Sequence, residues 1–111
     1  MPRTIAKLVS GIFLLAASAL FPAIADHSVS ISVKNHRFQP AQIQAPAKTP
    51  IELRVKNLDS TAIEFESDTL HVEKVVNGNS EAVIRLKPLD PGRYEFYDDY
   101  HHESTGVLVV R

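Results

Sequence analysis

The stretch Leu89-Asp90-Pro91-Gly92-Arg93-Tyr94-Glu95-Phe96-Tyr97-Asp98-Asp99-Tyr100-His101-His102-Glu103 decides how this chain is read. It opens on a corner, because two prolines and a glycine within Lys87–Gly92 cannot continue a paired strand. Tyr94 and Phe96 then alternate with Glu95 and Tyr97, the period of a half-buried strand. A tyrosine that enters a strand just past a corner can return its hydroxyl to the corner backbone, the tyrosine corner of Greek-key sandwiches. The strand runs into Asp-Asp-Tyr-His-His-Glu, a loop crowded with carboxylates, imidazoles and phenols.

The same alternation extends upstream and downstream. Val29, Ile31 and Val33 alternate with polar residues, as do Ile51, Leu53 and Val55, and again Ile63 and Phe65. Val72–Val76 ends at the turn signal Asn77-Gly78-Asn79, Val83–Leu86 resumes, and Val107–Val110 closes the chain. Phe38-Gln-Pro-Ala-Gln-Ile43 holds a proline that breaks regular pairing or marks an edge. Residues 67–71 can form a helical turn, and no segment is long enough for a periodic helix. Short strands at regular spacing predict an all-β fold, a single Greek-key β-sandwich spanning 26–111.

Residues 1–25 are set apart from that domain. Arg3 and Lys7 precede the 14-residue apolar run Leu8–Phe21, and Ala23-Ile24-Ala25 has small residues where a signal peptidase reads. This is the layout of a signal peptide cleaved before Asp26. The run is shorter than the roughly 20 residues a membrane span needs. The expected product is exported and not membrane-anchored, and periplasmic in a cell with two membranes. Cleavage removes two of the 12 basic residues and none of the 13 acidic ones, so the mature domain is acidic. That balance argues against a nucleic-acid partner, which selects for basic patches.

The chain has no cysteine. Disulfides, thiol nucleophiles, iron–sulfur clusters and cysteine zinc sites are therefore excluded, as is any copper site that needs a thiolate. A serine triad lacks a turn to present Ser104. A glycosidase pair such as Glu64 and Asp98 lacks tryptophan and has little aromatic surface to hold a sugar.

Several pieces together resemble the cupredoxins. They are Phe38-x-Pro40-x-x-Ile43, Val55-Lys-Asn57, Leu89-x-Pro91-Gly92-x-Tyr94-x-Phe96 and the final Gly106-Val-Leu-Val-Val. The resemblance covers about residues 28–111. It implies a copper ligand Cys two residues after the Phe of Tyr-x-Phe, where this chain has Asp98. The family's next histidine, three residues on, matches His101. The upstream histidine slot falls near Ile63, and no methionine follows His101. No blue-copper site is expected.

The replacement is polar. Glu64 and Glu66 lie two apart on a strand and share a face, while Ile63 and Phe65 turn to the core. The resemblance implies that this strand and the Asp98–Glu103 loop meet at one pole. Glu64, Glu66, Asp98 and His101 are the first candidate metal ligands there, with His71, Glu73, Asp99 and His102 behind them. His102 points opposite to His101 if the segment is extended. His36 reads as a loop residue. Carboxylates with imidazole suit iron, Mn(II), Cu(II) or Zn; of these, copper or iron is the ion that the resemblance implies.

This pattern is similar to the cysteine-free cupredoxin-like proteins of bacterial ferrous-iron uptake systems. That similarity implies a periplasmic accessory beside an inner-membrane iron permease, with possible assistance to Fe(II) oxidation. The alternative is a metal-free interaction module that kept the sandwich and lost the site.

Overall fold

A computed structural model describes residues 27–111. The expected signal peptide and Asp26 lie outside the described residues. Among the described residues every regular element is a strand, and no helix is long and apolar enough to cross a membrane. In chain order these are β1 (His27–Lys34), β2 (Arg37–Gln39), β3 (Gln42–Ala45), β4 (Ile51–Asn57), β5 (Ile63–Ser67), β6 (Val72–Val76), β7 (Ser80–Leu86), β8 (Gly92–Asp98) and β9 (His101–Val110).

They form two facing sheets, ordered β2-β1-β4-β7 and β3-β9-β8-β5-β6. β1 pairs with β4 in parallel, from His27 opposite Ile51 to Val33 opposite Asn57. β3 pairs with β9 in parallel as well, while β4 with β7, β5 with β8 and β8 with β9 are antiparallel. The all-β expectation holds: this is a β-sandwich with mixed sheets.

Alternation builds the core. Ile31, Val33, Leu53, Val55 and Ile84 project inward from one sheet, and Ile43, Ile63, Phe65, Phe96 and Leu108 meet them from the other. Phe96 is central, stacked on Phe65 at 5.0 Å and edge-on to Phe38 at 5.0 Å. Such ring pairs add about 0.5–1.5 kcal/mol each beyond area burial. Gly106 sits against that cluster: a Cβ there would lie 2.5 Å from two Phe96 ring carbons.

The proline of Phe38-Gln-Pro-Ala-Gln-Ile does interrupt pairing. The chain leaves the four-stranded sheet at β2, passes a cis Gln39–Pro40 bond and joins the other sheet as β3. The tyrosine corner forms too, with the Tyr94 hydroxyl donating to the Asp90 carbonyl at 2.8 Å. Asn57 is buried and organises the β4–β5 loop: its amide donates to Thr61 O and Val76 O, and its Oδ1 accepts the Asp59 N–H.

Residues 67–71 make the expected single turn, the His71 N–H donating to the Asp68 carbonyl at 3.3 Å with His71 at φ 57°. One segment differs from expectation. The late acidic loop shrinks to the turn Asp99-Tyr100, because β9 begins at His101 rather than Val107.

Candidate metal centre

Asp98 ends β8 on the inward side, directly after Phe96, and is fully buried. An isolated carboxylate could not remain there, since a buried charge needs hydrogen bonds or a partner. Its Oδ1 accepts the N–H of Glu64 at 2.9 Å and the N–H of Tyr100 at 3.0 Å. Its Oδ2 meets His101 Nδ1 at 3.2 Å. The acceptor two residues back closes the turn in the manner of an Asx turn. The Asp99 N–H bonds the Glu64 carbonyl at 2.9 Å, so β5 and the β8–β9 turn are stitched together twice.

On the opposite face of the same strands the acidic side chains gather. Ile63, Phe65 and Ser67 point inward, which turns Glu64 and Glu66 outward. Asp99 follows Asp98 and also faces out. Glu64, Glu66 and Asp99 each bring one carboxylate oxygen into a set whose atoms lie within 4.8 Å of one another. Among the described residues this is the one such grouping of three or more potential ligands. Glu73 lies directly across from Glu66 on β6. Partial removal from water, then the charges of Glu73, Asp99 and Glu66, hold the Glu64 carboxyl above the usual range. Tyr97 donates to Glu66, and that bond above all pushes the phenol up to about 12. His102 Nε2 reaches Asp99 Oδ1 at 2.9 Å, and its ring stands edge-on to Tyr97 at 5.6 Å.

The sequence-based candidates therefore divide. Glu64, Glu66, Asp99, Glu73 and His102 collect on the outer face. Asp98 and His101 belong to the inner side of the same turn and do not join Glu64 and Glu66 in one ligand set. The reason is the period of the strand: Asp98 shares its face with Phe96, and Glu64 and Glu66 share theirs with Tyr97. His71 is exposed in the β5–β6 turn, near Asp68 and Glu73 at the rim of a shallow recess. Sequence reasoning placed His36 in a loop and attached no role to it. It stacks on His101, ring centroids 4.0 Å apart at 27°. The signal that finds it is the two-residue turn Asn35-His36 between alternating segments, which carries His36 to the same pole.

These residues do not fit a thiolate copper centre. The cysteine slot holds Asp98, whose oxygens are committed to protein donors and to His101. The upstream histidine slot holds Ile63, fully buried in the core. What remains is hard oxygen chemistry outside and imidazole chemistry at the pole.

Comparison with known proteins agrees with this architecture. A model of the cupredoxin-like domain matches residues 5–110. An uncharacterised protein of Rickettsia prowazekii (strain Madrid E), RP394, is 41% identical over 83 residues, which cover 74% of this chain and 66% of that protein. The chain thus spans just under two thirds of that relative's length. Among solved structures, the metal-binding domain of the Streptococcus pneumoniae D39 Cu(I)-exporting P-type ATPase CopA, with Cu(I), superposes with a TM-score of 0.69 at 22% identity, covering 76% of this chain and 84% of that one. Auracyanin B gives 0.67 at 15% identity over 83% and 93%. The purple cupredoxin of Nitrosopumilus maritimus gives 0.57 at 17% identity over 78% and 100%. At those identities the structures speak for the fold alone. The family match over most of the chain, with the sandwich and its tyrosine corner, places this protein in the cupredoxin-like domain family.

Proposed function

We propose that this protein is an exported, non-blue metal-binding cupredoxin-like protein that holds a hard cation on the outer face of β5 and the β8–β9 turn. The observation that carries the proposal is the convergence of Glu64, Glu66 and Asp99 within 4.8 Å. Three carboxylates so close repel one another, and a cation relieves that cost. Tyr97 and His102 orient two of the three from the side, as outer groups orient metal ligands. Oxygen donors suit Mn(II), Ca(II) and Mg(II), and the neighbouring imidazole of His102 extends the range to iron and Cu(II).

In this reading the protein is an accessory of iron handling, working in the periplasm beside an inner-membrane iron permease. It binds and delivers the ion. Any part in Fe(II) oxidation is secondary to that. The support for the iron role is the resemblance to cysteine-free cupredoxin-like proteins of ferrous-iron uptake.

Calorimetric titration of the purified protein with Fe(II) (anaerobically), Mn(II) and Cu(II) tests the metal reading. The expected result is binding of at least one ion near micromolar Kd or tighter, about −8 kcal/mol. The triple variant E64Q/E66Q/D99N should lose at least about tenfold in affinity, or 1.4 kcal/mol. No binding, or equal binding by the triple variant, overturns it. One observation favours a second reading, a metal-free interaction module: two of the family's ligand slots are filled by Ile63 and a fully bonded Asp98. That reading predicts the null titration.

A further inference from the structure

We propose that the outward face of the four-stranded sheet, around Lys34, Arg37, Lys56 and Leu58, is a reversible docking surface for an anionic lipid bilayer. It lies on the other side of the sandwich from the acidic face and does not depend on a bound ion.

The first ground is the charge of this face. Ile31, Val33, Phe38, Leu53 and Val55 point inward, which turns Lys34, Arg37, Arg54 and Lys56 outward, joined by Arg85 from β7. The acidic residues on the same side are Glu52 and Glu81. Both bond Arg54, at 2.7 and 3.0 Å. Lys34, Arg37 and Lys56 make no ion pair among the described residues.

The second ground is where those three cations stand. Lys34 lies directly opposite Arg37, in the pair that closes the β1–β2 hairpin. Like charges directly opposite one another on a sheet are destabilising. Lys56 lies opposite Ser32, two residues before Lys34 on the same side of β1. The three therefore gather at one end of the face, and a surface that supplies anions relieves their repulsion.

The third ground is an exposed leucine beside them. Leu58 follows Lys56 by two residues, and its N–H bonds the Val33 carbonyl at 2.8 Å, which sets it at the Lys34 end of β1. It is 44% exposed. Attachment to anionic membrane surfaces combines buried apolar area with electrostatic attraction. Leu58 supplies the first and the cations the second. The core of a protein–protein interface is instead enriched in aromatic residues, and no outward position of β1, β2, β4 or β7 holds one.

The opposite sheet fixes the orientation. It turns Glu64, Glu66, Glu73, Glu95 and Asp99 outward against Arg93. A molecule divided in this way approaches an anionic surface basic face first. Facing sheets lie about 10 Å apart, more than the Debye length of about 8 Å at physiological ionic strength. Repulsion from the acidic face is therefore largely screened at contact, and its carboxylates stay toward the solution.

The test is cosedimentation of the protein, purified after export, with vesicles of phosphatidylglycerol in phosphatidylcholine and with vesicles of phosphatidylcholine alone. Binding is expected to the first, weakening as salt is added, and not to the second. Each Lys or Arg near an anionic leaflet strengthens binding about fivefold. K34Q/R37Q/K56Q should therefore bind at least about tenfold more weakly, and L58S severalfold more weakly. E64Q/E66Q/D99N should bind no less tightly than wild type, which separates this surface from the acidic face. Circular dichroism reports whether each variant keeps its sheets, and R37Q alone decides the matter if the triple variant does not. Equal binding to both kinds of vesicle, or wild-type binding by K34Q/R37Q/K56Q, overturns the proposal. Failure to bind the anionic vesicles also overturns it, and polyglutamate binding that K34Q/R37Q/K56Q loses would then assign the face to an acidic protein partner.

Discussion

The N–H of Glu64 donates to the buried Oδ1 of Asp98 at 2.9 Å, across 34 residues of chain. One carboxylate thereby ties the start of β5 to the β8–β9 turn, at the position where the cupredoxin resemblance implies a metal thiolate. The link between these elements is here made of hydrogen bonds to a carboxylate.

Asp98→Ala should therefore be among the most damaging single changes in the protein. It strands the N–H groups of Glu64 and Tyr100 and leaves His101 unsupported, at about 1–3 kcal/mol for each buried group left unsatisfied. A total loss of about 3–5 kcal/mol is expected, with Asp98→Asn milder because it keeps one acceptor oxygen. Urea unfolding of both variants measures it. An Asp98→Ala protein within 1 kcal/mol of wild type, about the worth of an ordinary hydrogen bond, would contradict the role given to this carboxylate.

Glu64 makes a prediction with the opposite sign. Its folded-state affinity for a proton is raised by partial burial and by Glu73, Asp99 and Glu66. Below the ordinary value of 4.5 the carboxyl is protonated in both states and costs nothing. As pH rises through the higher folded-state value, the folded protein must give up a proton it holds more tightly, and stability falls. Glu64→Gln should raise Tm at pH 7 in metal-free buffer and leave it unchanged near pH 3.5, about a unit below the ordinary carboxylate value. Thermal unfolding at the two pH values decides this.

Asp59 shapes the acid limb. Backbone N–H donors from His36 and then Asn35 hold its carboxyl below the ordinary 3.8. The unfolded chain takes up this proton first, so the stabilisation is present above 3.8 and drains away as pH falls through the lower folded-state value. Asp59→Asn should flatten the stability curve in that acid window while lowering stability at neutral pH. A curve of unchanged steepness would assign the acid limb to other carboxylates.

Gly106→Ala tests the core beside the turn. The added methyl would lie 2.5 Å from the Phe96 ring and 2.9 Å from the Ala41 carbonyl. Phe96 cannot retreat, being packed on Phe65 and Phe38. Overpacking of this kind costs about 1–3 kcal/mol. Chemical denaturation should show the loss, and near-ultraviolet circular dichroism should show the disturbed phenylalanine cluster.

Much of this fold was legible because period 2 is a local property. Ile51, Leu53 and Val55 turn inward wherever β4 sits, and Val72–Val76 emerges with the expected bounds. The acidic segment was misjudged in length because a tertiary bond closes its turn, and the donor at Glu64 is far away in sequence. For the site, the same alternation put Glu64 and Glu66 on one face. It also sets Asp98 on the inward face with Phe96, so grouping Asp98 with Glu64 and Glu66 rested on the cupredoxin resemblance and not on the strand period. The loop position of His36 was legible, but its stacking on His101 was not, because that contact joins segments far apart in the chain.

The direction of β1 and β9 has a consequence for how the molecule is presented. β1 begins at His27, beside Pro50, and delivers His36 to the far end. β9 begins at His101 and ends beside Ala45. With a rise near 3.3 Å per residue, roughly 25 Å separates the pole of His36 and His101 from the end where both described termini emerge. A fusion partner, surface linker or label attached before His27 or after Arg111 would therefore hold this domain by its base, with the histidine pole facing outward toward whatever approaches it.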